Sequence, residues 1–449
     1  MLKKDLSPIL MIMLVIGATV GGGIFTVPGS AASIAGPGSL LAFVIASVAA
    51  LAMSYIFGSL GYAHPVSNGL YEYTKLAFGK FMGGVVGWCY WIFMWSGVTA
   101  VLIGFMGYLA TFIPGIDANP LAMFIIITAF IWIFVGINIA GVKTGATWGM
   151  VFTIIKLIGL AVFVIFGLTK INFSNFTPFL PQGGGSIVPT LAFLFWSFCG
   201  IESAVTVGEE AQNPQTIRKS SVLGSLAIIV VYGLVLFVCF GVMPSADLAN
   251  SNKALVDVAG ISMGSWSSIF MTIVAAISIL GCASNTVLLT GRTSYAMAQD
   301  GMFPKFFGTT NDKKSPASSI ILGGVCANLL LITVLFNSTR AAFDFTLLFA
   351  TLFLLIPYIL TMVAIIMLRV THPEKFNFDK KTWPLIVVCS LVGFVFCVMA
   401  IWGSGFESMV WGFLTIVVGA PVLWAFIKIQ DAKKNALPSN SENVEQIGK

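Results

Sequence analysis

The chain has 449 residues, of which 58% are hydrophobic and only 9% are charged, and its mean hydropathy is +0.98. This composition excludes an ordinary soluble domain and indicates a polytopic α-helical membrane protein. The net charge of +6 is therefore interpreted as a consequence of membrane topology and not as a sign of nucleic-acid binding.

Apolar runs recur along nearly the whole chain and predict an all-α protein with about twelve transmembrane helices. The spans are expected near residues 8–34, 40–63, 83–112, 120–141, 146–169, 188–208, 220–243, 264–290, 317–336, 342–368, 384–402 and 409–428. A short interfacial helix is expected between His64 and Lys80, because that segment has a mixed polar and apolar pattern. The polar segment 431–449 is expected to be a disordered tail.

Basic residues are distributed unevenly between the predicted loops. With the amino terminus in the cytoplasm, the outer loops hold only Lys170, Lys253 and Arg340 of the 23 basic residues. Apart from Lys156, which lies inside a span, all the others fall on the inner side. This bias predicts that both termini are cytoplasmic and that the protein lies in the plasma membrane, the inner membrane of a bacterium.

The sequence contains no pattern typical of an enzyme or a metal site. P-loop, G-x-S-x-G and H-E-x-x-H motifs are absent, and the two histidines, His64 and His372, lie in predicted loops. The seven cysteines are scattered and form no C-x-x-C pair, so neither a zinc site nor a disulfide framework is indicated. No catalytic activity, cofactor or metal is expected.

The first span is interrupted at its midpoint by Gly21-Gly22-Gly23, and Pro28 follows. Each glycine costs about 1 kcal/mol relative to alanine in a helix interior, so this run predicts a break. Exposed backbone at bilayer depth is costly unless it lines a cavity or is covered by protein. Two interpretations remain open: backbone that meets a ligand, or close helix packing through small residues.

Aromatic residues crowd the third span. Trp88 and Trp91 are expected in an aromatic belt at the inner interface. Trp95 lies deeper, where it would face either a cavity or its packing neighbours.

Lys156 lies in the fifth span, with about ten apolar residues on either side. An ammonium at the membrane midplane is costly, so such residues usually face the protein interior and mark an ion or proton path. The alternative is that the side chain reaches an interface, but Lys156 lies too deep for that. The position favours a functional role.

The sixth span repeats the pattern of the first, with a small-residue interruption around Gly200 and a carboxylate, Glu202, at mid-membrane. Spans one to five and six to ten would then each open with a broken helix, as expected of an inverted repeat in a secondary transporter. This divides the chain into a first repeat over residues 1–169, a second over 188–369, and two accessory helices over 383–430. The accessory helices are expected to serve packing or homodimer formation.

The chain resembles the amino acid–polyamine–organocation family of transporters. The segments that carry the resemblance are Gly21-Gly22-Gly23-Ile24-Phe25, residues 196–203, Glu209-Glu210 with Asn213-Pro214, and residues 294–298 followed by Asp300-Gly301 and Phe303-Pro304. They occur in the family's order over roughly residues 10–370. The resemblance implies a five-plus-five inverted-repeat fold with two extra helices, and transport by alternating access.

The resemblance also implies roles for individual residues. The backbone of Gly21 to Gly23 would receive a substrate α-carboxylate, and carbonyls near Phe195, Ser197 and Phe198 would receive the α-amino group. Trp196 resembles the family's aromatic gate, and Glu202 matches a glutamate of proton-linked gating. The complete set expected at the substrate is Gly21, Gly22, Gly23, Ile24, Trp95, Val98, Phe195, Trp196, Ser197, Phe198, Ile201 and Thr286, with Lys156 and Glu202 for coupling and gating.

Two positions depart from the arginine/agmatine exchangers of this family. Those proteins carry an asparagine where this chain has Val98 and a tryptophan where it has Thr286. Lys156 instead resembles a lysine of the sodium-independent amino acid permeases, whose ammonium takes the place of a sodium ion. The sequence combines features of the two subgroups.

Three hypotheses follow. The first is a sodium-independent amino acid transporter that works by exchange or proton coupling, with an amino acid or polyamine and the lipid bilayer as its partners. The second is a specific cationic amino acid/polyamine antiporter, of the arginine/agmatine, ornithine/putrescine or lysine/cadaverine type. The third is a non-transporting membrane sensor or a channel, but the pattern shows neither a pore-lining polar stripe nor a charged ring, and the loops are too short to hold a soluble output domain.

Overall fold

The computed structural model describes residues 6–66, 68–140, 145–312 and 315–436, with side chains described outside 145–151 and 430–436. Within these ranges the regular structure is helical, apart from one isolated parallel bridge between Leu6 and Ala211. There the amide of Leu6 donates to the carbonyl of Glu210 at 3.0 Å, and the amide of Gln212 donates to the carbonyl of Leu6 at 3.2 Å. The bridge therefore joins the start of the chain to the segment that follows the sixth span.

The helices are numbered in chain order. The first seven are α1 (Pro8–Thr19), α2 (Gly23–Ala35), α3 (Ser39–Ala63), α4 (Gly69–Phe78), α5 (Lys80–Leu109), α6 (Pro120–Ile139) and α7 (Gly145–Leu168). The next six are α8 (Ile187–Phe195), α9 (Ser203–Thr206), α10 (Pro214–Val242), α11 (Ser245–Asn250), α12 (Ala254–Met263) and α13 (Trp266–Gln299). The last five are α14 (Ala317–Leu331), α15 (Thr333–Phe336), α16 (Thr339–Thr371), α17 (Trp383–Gly403) and α18 (Phe406–Ala436).

By length and apolar composition, nine helical segments of the described chain are able to cross a membrane. Shorter apolar segments accompany them, among them Pro8–Thr19 and Gly184–Phe198. Each of the twelve predicted spans corresponds to a helix, and the first, sixth and ninth each correspond to a pair of helices. The prediction of an all-helical polytopic membrane protein with broken first and sixth spans is confirmed, and α4 confirms the predicted short helix between spans two and three.

Three features differ from the expectations. The connection between spans seven and eight, expected to be a loop, contains α11 and α12, which are too short to have been read as spans. Helix α13 continues to Gln299 although its apolar run ends near residue 290, because Ser294 and Met297 extend its buried face. Helix α18 reaches Ala436, so it includes the first residues of the segment expected to be disordered, and the rest of that tail lies outside the described residues.

Helix α5 lies at the centre of the bundle, packed chiefly against α13 and α16, whereas α10 packs chiefly against α3 and α1. In the most apolar part of each helix, 83% of the residues of α5 are buried but only 17% of those of α18, so α18 lies at the periphery. We call the end of the bundle that carries Leu6, His64 and Lys75 the amino-terminal face. The end that carries Leu109 and Thr339 is the opposite face.

Candidate functional site

The first span is broken between Thr19 and Gly23. Helix α1 ends where the amide of Val20 donates to the carbonyl of Ile16 at 2.8 Å, and α2 begins three residues later at Gly23. In the first turn of α2 the amide of Phe25 donates to the carbonyl of Gly22 at 3.1 Å. The amino end of α2 faces the break, where the helix dipole favours an anion. The glycine run therefore produces the predicted interruption.

The glycines of the break also permit close packing. A Cβ added at Gly21 would lie 2.6 Å from Sγ of Cys282 on α13. A Cβ added at Gly22 would lie 2.8 Å from Cγ1 of Val101 on α5. Such separations essentially never occur between real Cβ atoms and their neighbours, so larger residues would push these helices apart. Close helix packing is thus a real function of these glycines, whatever their part in ligand binding.

The carbonyl groups freed at the first break are bound by two side chains. Nζ of Lys156 donates to the carbonyl of Gly17 at 2.8 Å and also to that of Val20. The hydroxyl of Tyr232 on α10 donates to the carbonyl of Thr19 at 3.2 Å. The side chain of Lys156 is buried, so a positive charge lies within the protein directly against the break.

The sixth span is broken between Phe195 and Ser203. Residues 196–198 form a single 3₁₀ turn after α8, and Gly200 has a φ of +113°, which side-chain-bearing residues rarely adopt. A Cβ on Gly200 would lie 2.7 Å from Oγ1 of Thr19 and 3.0 Å from the backbone at the end of α1. The two breaks are therefore in direct contact.

Trp196 extends from the second break across the first. A Cβ on Gly23 would lie 2.6 Å from Cδ1 of the indole, and one on Gly97 would lie 3.4 Å from its far end. The ring packs edge to face against Phe93 with centroids 6.0 Å apart. The indole thus lies between Gly23 of the first break and Gly97 of α5.

Two hydroxyl groups at the breaks have no hydrogen-bond partner among the described residues. They are Oγ1 of Thr19, at the first break, and Oγ of Ser197, at the second, and both atoms are buried. Buried hydroxyl groups nearly always have partners, so each is suited to a polar ligand or to water.

Glu202 links the second break to two long helices. Its carboxylate accepts hydrogen bonds from the hydroxyl of Tyr90 on α5 at 3.0 Å and from that of Tyr358 on α16 at 2.5 Å. It also accepts a bond from the amide of Gly200 at 3.0 Å. Among the described side chains, Glu202 and Lys156 are the two charged ones that are buried.

Several other predicted residues lie where an apolar lining would be expected. The side chains of Ile24, Val98 and Ile201 are buried on α2, on α5 and within the second break, respectively. Thr286 lies on α13 one turn beyond Cys282, and its hydroxyl donates to the carbonyl of Cys282 at 2.8 Å. Because Cys282 faces Gly21, this side of α13 borders the first break.

The rings of three predicted aromatic residues pack against neighbouring helices. The ring of Trp95 lies 6.3 Å from that of Phe349 on α16, so this side chain contacts a packing neighbour. The ring of Phe198 stacks on Phe43 of α3 at 5.6 Å, and that of Phe195 lies 5.8 Å from a phenylalanine of α17. For Phe195 and Phe198 the predicted contribution is that of the backbone.

The expected aromatic belt is partly internal. Trp91 is buried, with its ring 5.6 Å from Phe303 and 6.0 Å from Phe307. Trp88 lies against the same cluster, 5.5 Å from Trp91 and 5.7 Å from Phe303. The placement of Trp91 at the lipid interface was wrong, because the segment after α13 folds back and covers that face of α5.

Sequence reasoning did not assign roles to Tyr90, Tyr232 and Tyr358. Each tyrosine lies within a short apolar stretch of its span, and the structure directs all three hydroxyl groups to the broken segments. Because a buried tyrosine hydroxyl usually finds a partner, an isolated tyrosine in an apolar run is the signal that could have identified them. The contact between Cys282 and the first break had no comparable signal.

A cavity of about 400 Å³ lies toward the amino-terminal face. Its lining consists of Asn68, Leu70, Tyr71, Val86, Gly87, Tyr90, Thr206, Thr293, Ala296 and Met297. Since Tyr90 also binds Glu202, this cavity reaches the second break. We call it the amino-terminal cavity.

A second cavity, of about 350 Å³, lies toward the opposite face. Its lining consists of Phe25, Thr26, Ile103, Gly104, Gly107, Ser251, Asn252, Ala254, Thr339, Arg340 and Phe343. The hydroxyl of Thr26 donates to the carbonyl of Gly22 at 3.1 Å, so this opposite cavity reaches the first break. Gly21 to Gly23 and Trp196 line neither cavity.

A cluster of charged side chains lies next to Tyr71, which lines the amino-terminal cavity. Lys75 binds Glu72 at 2.9 Å and Asp300 at 3.1 Å, and the hydroxyl of Tyr71 donates to Asp300 at 2.5 Å. Partial burial lowers the pKa of Lys75, but its hydrogen bonds to Glu72 and Asp300 outweigh this and raise the pKa overall. Burial and the bond to Asp300 raise the pKa of Tyr71, so its hydroxyl remains a donor. The cluster joins α4 to the end of α13.

His64 follows α3 on the same face. Its carbonyl accepts a hydrogen bond from Tyr73 at 3.0 Å, and its ring lies edge to face against Phe376 at 6.1 Å. Burial, followed by the positive charge of Lys375, lowers the pKa of His64 from its usual 6.5. The folded protein therefore favours the neutral imidazole.

Comparison with known proteins places these features in a family context. A family model described as amino acid permease matches residues 6–427. An arginine/agmatine antiporter of Chlamydia pneumoniae is 26% identical over 454 residues, covering 97% of this chain and 92% of that protein. An arginine/ornithine antiporter of Pseudomonas aeruginosa is 26% identical over 431 residues, covering 92% and 89%. A Bacillus subtilis (strain 168) protein, whose name gives arginine and ornithine as its substrates, is 29% identical over 385 residues, covering 79% and 82%.

Proposed function

The chain belongs to the amino acid permease family, and on this premise we propose that it exchanges amino acids across the membrane without sodium, with a cationic amino acid of the arginine type as a substrate. It is an integral membrane transporter and not an enzyme. The observation that carries the proposal is the direct contact of the two broken spans beneath Trp196, with Lys156 bound to the freed carbonyl groups.

The backbone chemistry of the two breaks supports binding of an α-amino acid. The amino end of α2, at Gly23, attracts an α-carboxylate because it lies at the positive end of the helix dipole. Carbonyl groups of the 3₁₀ turn at residues 196–198 attract an α-ammonium. The unpartnered hydroxyl groups of Thr19 and Ser197 provide two further polar contacts.

The position of Lys156 supports independence from sodium. Carbonyl groups at a break in a transmembrane helix are a typical place for a coupling cation. In this chain the carbonyl groups of Gly17 and Val20 are already bound by the ammonium of Lys156, which supplies the positive charge. A sodium ion would have to displace a covalently attached cation from the same oxygen atoms.

The class of side chain that the site accepts is supported by the relatives. Those reported above are named for arginine with ornithine or agmatine, which favours a cationic substrate. A second candidate, exchange of apolar amino acids, is favoured by Val98 and Ile24, whose buried apolar side chains offer a cation no hydrogen bond. Both candidates share the same recognition of the amino acid backbone.

The wider architecture is part of the proposal. We assign residues 1–169 and 188–369 to inverted repeats that alternate access to the breaks, with both termini in the cytoplasm of a bacterial cell. The two cavities support this, because each approaches the breaks from one face only. The exposed apolar surface of α17 and α18 is proposed to contact lipid or a second copy.

The decisive experiment is counterflow into proteoliposomes in a sodium-free choline buffer. Separate batches of vesicles are loaded with unlabelled L-arginine, L-ornithine, agmatine, L-leucine or L-alanine, and each batch is presented with the same compound in labelled form. We expect uptake of labelled L-arginine that depends on internal substrate. Protein-free liposomes and vesicles with Trp196→Ala serve as controls.

Each outcome has a clear meaning. Uptake of L-leucine or L-alanine without L-arginine favours the second candidate, because the backbone site would then be correct and the side-chain class wrong. Absence of uptake for every compound refutes the transporter function. Uptake that appears only after sodium is added refutes the role assigned to Lys156.

A further inference from the structure

The opposite cavity contains a basic residue that the exchange mechanism above does not use. Arg340 is the second residue of α16 and lines this cavity together with Ser251 and Asn252. Only three basic residues were assigned to this side of the membrane, where positive charge is disfavoured in loops. A guanidinium inside a cavity on that side therefore calls for a specific explanation.

Arg340 is held in place by contacts that use few of its donors. Its Nε lies 3.4 Å from a carboxylate oxygen of Asp344, and one Nη donates to the hydroxyl of Ser33 at 3.4 Å. Asp344 is anchored by the hydroxyl of Ser30, which donates to it at 2.9 Å. A guanidinium has five N–H donors in a planar fork, and these two contacts are long, so Arg340 retains capacity for a stronger acceptor.

The opposite cavity leads from Arg340 to the first break. Phe25 and Thr26 line it, and the hydroxyl of Thr26 binds the carbonyl of Gly22. Arg340 lies at one end of the lining and Phe25 and Thr26 at the other, so the cavity connects the guanidinium with the start of α2. A small molecule in this cavity lies between the opposite face and the amino end of α2.

We propose that Arg340 forms an entry site that binds the α-carboxylate of an amino acid before it moves to the first break. A carboxylate is the acceptor that the planar fork of arginine binds best, through two parallel hydrogen bonds. Asp344 keeps the guanidinium oriented from α16. The inference rests on the proposed function, because it concerns the same substrate at an earlier step.

This entry site distinguishes amino acids from the corresponding amines. L-Arginine carries an α-carboxylate, whereas agmatine has none and bears two positive charges. Arg340 would attract the first and repel the second, since like charges destabilise each other across a short distance. Substrate can approach the two breaks from either face of the bundle. The entry site should therefore affect only substrate that arrives from the opposite face.

The test measures exchange in membrane vesicles of defined sidedness. The external KM for L-arginine and for agmatine is determined for the parent, Arg340→Gln and Lys253→Gln. Lys253 is the matched control: it carries the same charge on the same face, pairs with Asp257 at 3.8 Å and is not part of the cavity lining. With the opposite face outward, we expect Arg340→Gln to raise the KM for L-arginine about tenfold, since a charge-assisted hydrogen bond is lost.

The agmatine KM should stay unchanged or fall in Arg340→Gln, and Lys253→Gln should leave both values unchanged. With the amino-terminal face outward, Arg340→Gln should match the parent. If the glutamine variant does not fold, Arg340→Lys carries the test, because it keeps the charge without the fork and should raise the L-arginine KM about threefold.

Three results overturn the entry site. They are an unchanged L-arginine KM in the Arg340 variants, equal increases for L-arginine and agmatine, and equal increases on both faces. The last two would indicate that the contacts between α16 and α2 only hold the helices together. For a parent that exchanges other amino acids but neither probe, the transporter function stands and the KM of the exchanged amino acid takes the place of the L-arginine KM; an unchanged value in Arg340→Gln then refutes the site. A parent that exchanges nothing refutes the function itself.

Discussion

Replacing Lys156 with methionine tests the role of its ammonium while nearly preserving the length of the side chain. The change removes two hydrogen bonds, to the carbonyl groups of Gly17 and Val20. Bonds to charged groups contribute about 1.5–3 kcal/mol each, so the pair sets an upper limit of about 3–6 kcal/mol. Removal of a buried ammonium also removes its desolvation cost, so the net loss lies below that limit.

A net loss of about 2 kcal/mol in the conformation that binds substrate corresponds to roughly thirtyfold weaker binding. We therefore expect Lys156→Met to lose exchange at every pH, because the break would no longer be held in its binding geometry. If Lys156 instead exchanges a proton during the cycle, the variant should keep some exchange and lose its pH dependence.

The assay is the initial rate of L-arginine exchange in proteoliposomes over a series of pH values, with size-exclusion chromatography to confirm folding. Lys170→Met is the matched control, since Lys170 is exposed beyond the end of α7. A Lys156→Met variant with the rate and pH profile of the parent would refute the reasoning. So would a parent whose exchange depends on sodium.

Three further changes test other parts of the site and its surroundings. Trp196→Ala should weaken substrate binding about tenfold more than Trp88→Ala, because an aromatic gate contacts the ligand whereas Trp88 packs in a distant cluster. The measurement is equilibrium binding of labelled substrate, and equal losses would refute the role of Trp196 as the gate. Gly22→Leu should abolish binding in that assay. Gly136→Leu, where an added Cβ meets nothing within 4 Å, should not affect it. Normal binding by Gly22→Leu would show that Gly22 has no part in ligand binding. For His64, whose pKa is lowered in the fold, protonation favours the unfolded state, so thermal stability should fall as the pH drops below 6.5, and His64→Asn should reduce this fall; an identical pH profile in both proteins would exclude the contribution.

The two breaks and the two buried charges were predictable because each violates a strong local rule. Three consecutive glycines cannot continue a helix cheaply, and a charge in an apolar run has no cheap alternative to the protein interior. Such signals can be read from a short stretch of sequence and need no knowledge of tertiary packing. The structure accordingly places Gly21 to Gly23 at a break and buries Lys156 and Glu202.

The partners of these residues could not be predicted in the same way. Glu202 is bound by Tyr90 and Tyr358, which lie 112 and 156 positions away along the chain. Which face of a uniformly apolar helix turns inward is decided by tertiary packing, and a span with apolar residues all round carries no amphipathic signal for it. The same reason explains why Trp91 was assigned to the lipid interface.

The bridge between Leu6 and Ala211 ties the entrance of the first span to the exit of the sixth. Two backbone hydrogen bonds form this bridge, so we expect α1 and the segment after α9 to move together during transport. A fusion protein at the amino terminus would be attached next to this bridge and could restrict the motion. A fusion protein at the carboxyl end would be attached to the peripheral α18. Affinity tags therefore belong at the carboxyl end. A pair of spin labels, one on each side of the bridge, would report whether α1 and the segment after α9 move together.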